Sequence, residues 1–170
     1  MRTQNKNVPE FWANNKPAKG YGSLHTDGQN LYSYNLKIGF TKNEDQKVLL
    51  VRKRSVTTTK HINYARRLAN EIVNVDILEK FILELRSGKY YQCKYDYKKY
   101  DRNNCFCAAG LLINIACPKF FNKNIKLSTD VFKENDLSHN LISKLFDLND
   151  RADYSFSQIA DYIEKEYIFV

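Results

Sequence analysis

Leu31-Tyr32-Ser33-Tyr34-Asn35-Leu36-Lys37-Ile38-Gly39-Phe40-Thr41 opens the stretch of this chain on which its fold turns. Tyr32, Tyr34, Leu36, Ile38 and Phe40 alternate with Ser33, Asn35, Lys37 and Thr41. A period of two predicts a strand with one buried and one wet face. Thr41 to Gln46 is polar and rich in turn residues, and Lys47 to Val56 follows with Val48-Leu49-Leu50-Val51 at its centre. Two such runs predict a hairpin. Thr57-Thr58-Thr59 then leads into a helix, with Ile62, Ala65, Leu68, Ala69 and Ile72 at helical spacing toward a core. Thr58 or Thr59 is expected as its N-cap, because a hydroxyl there accepts an unpaired backbone N–H. Lys60, Asn63, Arg67 and Asn70 are expected to face outward, with Arg66 at the border.

Upstream, Pro9, Pro17, Gly20, Gly22 and Gly28 interrupt any apolar period, so residues 1–30 read as an irregular N-terminal arm. Its single Trp, within Phe11-Trp12-Ala13, reads as an anchor packed onto the domain. Asp27-Gly28-Gln29-Asn30 reads as a turn into the first strand. Downstream, Ile77, Leu78, Phe81, Ile82 and Leu85 predict a helix from Val75 to Ser87, capped by Asn74 and stopped at Gly88. Lys89 to Tyr100 alternates again, with Tyr91, Cys93, Tyr95 and Tyr97 in phase, and predicts a strand. Cys105 to Cys117 is strongly apolar and reads as a buried strand ended by Pro118, although periodicity leaves a buried helix open there. Two further helices are expected, over Ser138 to Leu148 and Phe156 to Tyr167, the second opened by a capping box of Ser155 and Gln158. The fold class this predicts is α+β: an antiparallel sheet of four or more strands with helices on one face, as a single domain over 31–170 behind the arm.

The composition supports a folded chain. Of 170 residues, 43% are hydrophobic and 14% aromatic, which excludes the disordered class. No apolar run approaches the roughly 18–20 residues of a membrane helix. Met1-Arg2-Thr3-Gln4-Asn5-Lys6-Asn7 lacks the apolar core of a signal peptide, so a soluble protein made in a cytoplasm is expected, without a membrane partner. The net charge of +8 is uneven: residues 1–70 hold 13 Lys/Arg against 4 Asp/Glu, and residues 127–170 hold 4 against 9. A basic region concentrates polyanions around itself. The acidic end could instead neutralise it within the fold, or in the next copy of a homo-oligomer.

Chemistry-bearing motifs are scarce. Cys93, Cys105, Cys107 and Cys117 follow a C-x11-C-x-C-x9-C spacing, which lacks the paired ligands of a structural zinc site and favours buried thiols; no metal and no cofactor are expected. His25, His61 and His139 sit in no nucleophile signature, although His25-Thr26-Asp27 has the residue types of a proton shuttle. No catalytic residue is assigned. The concentrated signal is basic. Arg52, Lys53, Arg54, Thr58, Thr59, Lys60, His61, Arg66 and Arg67 combine cations with hydroxyls at a helix start, and are expected to contact the nucleic-acid backbone. Lys89-Tyr90-Tyr91, Lys94-Tyr95 and Tyr97-Lys98-Lys99-Tyr100 interleave cations with rings, as single-strand binders do, but the shared phase of Tyr91, Tyr95 and Tyr97 favours a core-facing row.

Phe11-Trp12-Ala13-Asn14, Leu31-Tyr32-Ser33-Tyr34, Ile38-Gly39, Val48-Leu49 and above all Ser55-Val56-Thr57-Thr58-Thr59-Lys60-His61 resemble a domain family of small bacteriophage and bacterial proteins, over residues 11–69. That family has no assigned activity, so the resemblance implies a phage setting and no chemistry. The functional expectation is a phage-encoded, non-enzymatic accessory protein that binds nucleic acid through its basic patch. The alternative is a protein–protein role, as a virion component or an inhibitor of a host enzyme, in which the patch meets an acidic protein surface.

Overall fold

Tyr34 breaks the first expected strand in two. Its φ of 55° lies in the left-handed region that bulky side chains rarely adopt. Its backbone N–H donates to Ser23 O at 2.7 Å, and the chain doubles back through Tyr34-Asn35, so that Ser33 faces Leu36. The computed structural model describes residues 1–43, 45–95, 104–119, 132 and 134–168. Within them the protein is α+β, with six helices and a seven-stranded sheet. The chain divides into two compact units, residues 1–73 and 74–170, where one domain over 31–170 had been expected.

In the first unit the strands lie side by side in chain order: β1 (Arg2–Thr3), β2 (Ala18–Gly20), β3 (Leu24–Thr26), β4 (Asn30–Ser33), β5 (Leu36–Lys42), β6 (Gln46–Val51) and β7 (Glu71–Asn74). Neighbours from β2 to β6 pair antiparallel, and the expected hairpin is the β5–β6 pair. The sheet is nevertheless mixed and not purely antiparallel, because β1 runs parallel to β2. A parallel pair needs a crossover. A 3-10 turn at Asn5–Asn7 and helix α1 (Val8–Ala13) supply it.

Residues 1–30, read as an irregular arm, therefore hold three strands and a helix. Their elements are two to six residues long and set among Pro and Gly, too short to show a period. The Asp27–Asn30 turn forms as expected: the Asp27 carboxylate accepts from the backbone N–H of Gln29 and Asn30, and Gly28 has a φ of 102°. Those hydrogen bonds hold the Asp27 pKa below its ordinary value even though burial pushes it up.

Trp12 is fully buried, as its reading as an anchor required, and its indole N–H donates to Gln29 O at 3.2 Å. It lies against Gly39, where an added Cβ would come within 3.0 Å of the ring. Val8 and Trp12 of α1 share a core with Leu24, Leu31, Ile38 and Leu49 of the sheet and with Ile62 and Ala65 of helix α2 (Val56–Ala65). A bulge in the β4–β5 pair lets Ile38 and Gly39 both face this core.

The second unit is mainly helical. Helix α3 (Val75–Arg86) is capped by Asn74, whose Oδ1 accepts from Ile77 N at 3.2 Å, and Gly88 follows it with a φ of 70°. It packs on α4 (Ala108–Ala116) and on α6 (Phe156–Ile163), and α4 packs on α5 (His139–Phe146). The expected strand over Cys105 to Cys117 is a strand only at β9 (Cys105–Phe106), paired with β8 (Tyr91–Gln92). The rest is α4, because Cys107 caps a helix there: its sulfur accepts from Gly110 N at 3.3 Å. Ala108 to Ile113 are buried on every side, which is why the run shows no period.

Of the expected strand over 89–100, the described residues 89–95 form a strand only at Tyr91–Gln92, with Tyr91 and Tyr95 exposed and Cys93 buried; residues 96–100, Tyr97 and Tyr100 among them, lie outside the described residues. The Ser155–Gln158 capping box is present in both directions. π-type turns extend α5 (Asp147–Arg151) and α6 (Glu164–Ile168). In the first of these, fully buried Asn149 accepts from Ala108 N and Gln92 Nε2 and donates to Cys93 O, joining β8, α4 and the turn.

Candidate nucleic-acid interface

Ser55 decides which side chains of the basic segment are displayed. Its hydroxyl accepts from Thr58 N at 3.2 Å, so Ser55 and not Thr58 or Thr59 is the N-cap. The helix then runs from Val56 to Ala65, and the chain turns into β7 before Ile72. Thr58, His61, Ile62 and Ala65 fall at i, i+3, i+4 and i+7 and face inward.

Thr58 and His61, expected as nucleic-acid contacts, are thereby only 4% and 2% exposed and leave the candidate surface. His61 Nδ1 lies 2.8 Å from Ser33 Oγ and its Nε2 lies 3.4 Å from Asn5 Nδ2. Thr58 Oγ1 approaches Ser55 Oγ at 3.1 Å and Ser33 Oγ at 3.4 Å. Burial, and after it the neighbouring Lys60 charge, pushes the His61 pKa below its usual value of 6.5, so the ring is held neutral.

This Ser–His pair does not form a nucleophile. Ser33 is fully buried. The second His61 nitrogen faces an amide and not a carboxylate. The cluster satisfies polar groups between strand and helix.

The other candidates remain at the surface. Lys53, Arg54, Thr59, Lys60 and Arg67 are exposed, and Arg52 and Arg66 are half-buried. Thr59 Oγ1 bonds back to Ser55 O at 3.1 Å within the first turn. Lys53 and Arg54 thus precede the helix start, Lys60 is on the outer face of α2, and Arg67 lies just past its end.

Charge follows the two units. Residues 1–73 hold 13 Lys/Arg against 5 Asp/Glu, and residues 74–170 hold 14 against 14, so the whole net excess of +8 belongs to the first unit. Acidic side chains near the C-terminus pair inside their own unit: Asp161 and Glu164 with Arg86, Asp153 with Lys94, and Asp147 with Arg151.

Two placements were not legible in the sequence. Lys47 is 2% exposed, faces the core side of β6 5.6 Å from the Trp12 ring centroid, and donates to Thr41 Oγ1 and Asn15 Oδ1. Burial, opposed by the Asp45 charge, lowers its pKa. His25 is no proton shuttle: Thr26 Oγ1 and the Asp27 carboxylate are spent on the turn, and the imidazole stacks on Tyr32 with centroids 5.0 Å apart. A strand alternation can reveal a face, but which cross-strand neighbour a side chain meets is set by register.

The cysteines are free thiols, and burial pushes the Cys107 pKa up to about 11, away from thiolate chemistry at neutral pH. Among the described residues no group of three or more His, Cys, Asp or Glu is placed to hold a metal ion, and no helix is long and apolar enough to cross a membrane. Comparison with family models, with curated proteins and with solved structures returned no match to the chain.

Proposed function

We propose that this protein binds nucleic acid without catalysis, through phosphate contacts made by its first unit, and that it serves as an accessory protein in a bacteriophage setting. The supporting observation is the confinement of the entire +8 excess to residues 1–73, with Lys53, Arg54, Lys60 and Arg67 exposed along one strand-to-helix segment. Cations so arranged exchange condensed counterions for protein contacts, and the affinity then falls steeply as salt rises. The phage setting rests on the Ser55–His61 motif and its neighbours.

The test is binding of labelled duplex and single-stranded oligonucleotides across a salt series. Affinity is expected at low salt, with a negative slope of log affinity on log salt. Replacing Lys53, Arg54, Lys60 and Arg67 together by Gln is expected to make that slope shallower by about 3–4 for duplex, at about 0.9 per lost phosphate contact. No binding at low salt, or binding indifferent to salt, overturns the proposal.

A further inference from the structure

Strand register places five side chains in one line across the sheet. Arg2 of β1 stands opposite Lys19 of β2, Lys19 opposite His25 of β3, His25 opposite Tyr32 of β4, and Tyr32 opposite Lys37 of β5. Directly opposed residues project from the same face of a sheet. That face is the one turned away from α1 and α2, since the strand neighbours Leu24 and Leu31 belong to the core those helices cover. Five strands spaced about 4.8 Å apart make a line about 19 Å long.

Its chemistry is cation, cation, ring, ring, cation. Arg2 and Lys19 are exposed, and His25, Tyr32 and Lys37 are half-exposed. The two rings are nearly parallel, at 14°. Burial, and then the Asp27 charge, raises the Tyr32 pKa, so its ring stays neutral at pH 7.

We propose that this cross-strand row is a seat for single-stranded nucleic acid, with a base stacking onto the His25–Tyr32 pair and phosphates meeting Arg2, Lys19 and Lys37. This deepens the preceding reading and rests on it. The occupant is chosen by two complementarities. The flanking cations, in the unit that carries the whole charge excess, call for a polyanion. The rings call for an open π-face, which a duplex hides and a single strand presents. The row lies on the opposite side of the sheet from α2, so its side chains can be altered without touching Lys53, Arg54, Lys60 or Arg67.

The test uses the full chain, a fluorescein-labelled oligothymidylate of about 20 nucleotides, the matching oligouridylate, and a duplex of the same length. Tyr32→Ala and His25→Ala are each expected to weaken single-strand binding by about 5- to 150-fold, the equivalent of about 1–3 kcal/mol for a stacked base, and to leave duplex binding as in the wild type. Tyr32→Phe is expected to keep wild-type affinity. Arg2→Gln with Lys19→Gln, both exposed and foldable in case a ring variant is not, is expected to make the single-strand salt slope shallower by about 1.4, at about 0.7 per contact.

Oligothymidylate and oligouridylate bound alike would assign the seat to bases and phosphates irrespective of sugar. A preference for one names the natural ligand. If all row variants bind the single strand like the wild type while the Lys53/Arg54/Lys60/Arg67 variant loses binding, the row is overturned and the preceding reading stands. If the wild type binds none of the three probes at low salt, both fall.

Discussion

His61 shows how a single residue changes meaning between sequence and structure. Beside Lys60 at a helix start it reads as a phosphate contact; in the fold it is a neutral ring closed against Ser33. The difference is helix phase: His61 falls with Thr58, Ile62 and Ala65 on the inward face. A pH signature follows. The folded pKa lies below the unfolded value of 6.5, so below pH 6.5 the unfolded chain takes up a proton that the folded ring refuses. The stability that His61 contributes is therefore complete above pH 6.5 and is lost as pH falls through the folded pKa. Urea midpoints measured at pH 7.5 and 5.0 should fall more steeply for the wild type than for His61→Gln. Equal slopes in the two proteins would show that this ring is not held neutral.

Among elements, α2 is the one whose boundaries decide the surface. Ile62, Ala65, Leu68, Ala69 and Ile72 do read as one helical stripe, but the helix stops at Ala65 and the chain turns, so that Ile72 belongs to β7. Local periodicity cannot register that a sheet edge captures the last part of the run. The start, by contrast, hangs on one hydroxyl. Ser55→Ala removes the acceptor for Thr58 N and a neighbour of the Thr58 hydroxyl, and should cost about 1 kcal/mol in a denaturant titration. Arg86→Ala serves as the contrast. Although Arg86 bridges Asp161 and Glu164, its side chain is 37% exposed, and an ion pair in that setting contributes about 0–1 kcal/mol.

Elsewhere the caps were legible. Asn74 and Ser155 accept backbone N–H groups where their sequence positions predict it, because capping depends on residues only three apart, and the helix expected from Ser138 proves to be capped by the Ser138 hydroxyl.

For the whole molecule the governing quantity is where charge resides, not how much there is. A protein of net charge +8 spread evenly would attract a polyanion weakly from every side; here residues 74–170 are balanced and residues 1–73 carry the excess. Two variants that remove equal charge should then behave differently. Replacing exposed Lys53, Arg54 and Lys60 by Gln should shorten retention on a heparin column markedly. Replacing Lys80, Lys144 and Lys165 of the second unit should leave it near the wild-type salt of elution. Equal shifts for the two would mean that total charge, and no particular surface, drives association.

The sequence by itself determined the α+β class, the β5–β6 hairpin, the Trp12 anchor, the helices capped by Asn74 and Ser155, the helix that starts near Ser138, and the uneven charge. Each depends on neighbours within a few positions or on composition alone. Tertiary structure decided the rest: the doubling of the first strand at Tyr34, the burial of Thr58 and His61, the helix in place of a strand after Cys107, and the alignment of Arg2, Lys19, His25, Tyr32 and Lys37. Those five residues span 36 positions of chain and meet only through strand register. Register is chosen by which face can be buried against α1 and α2, a property of the packed unit and not of any one segment.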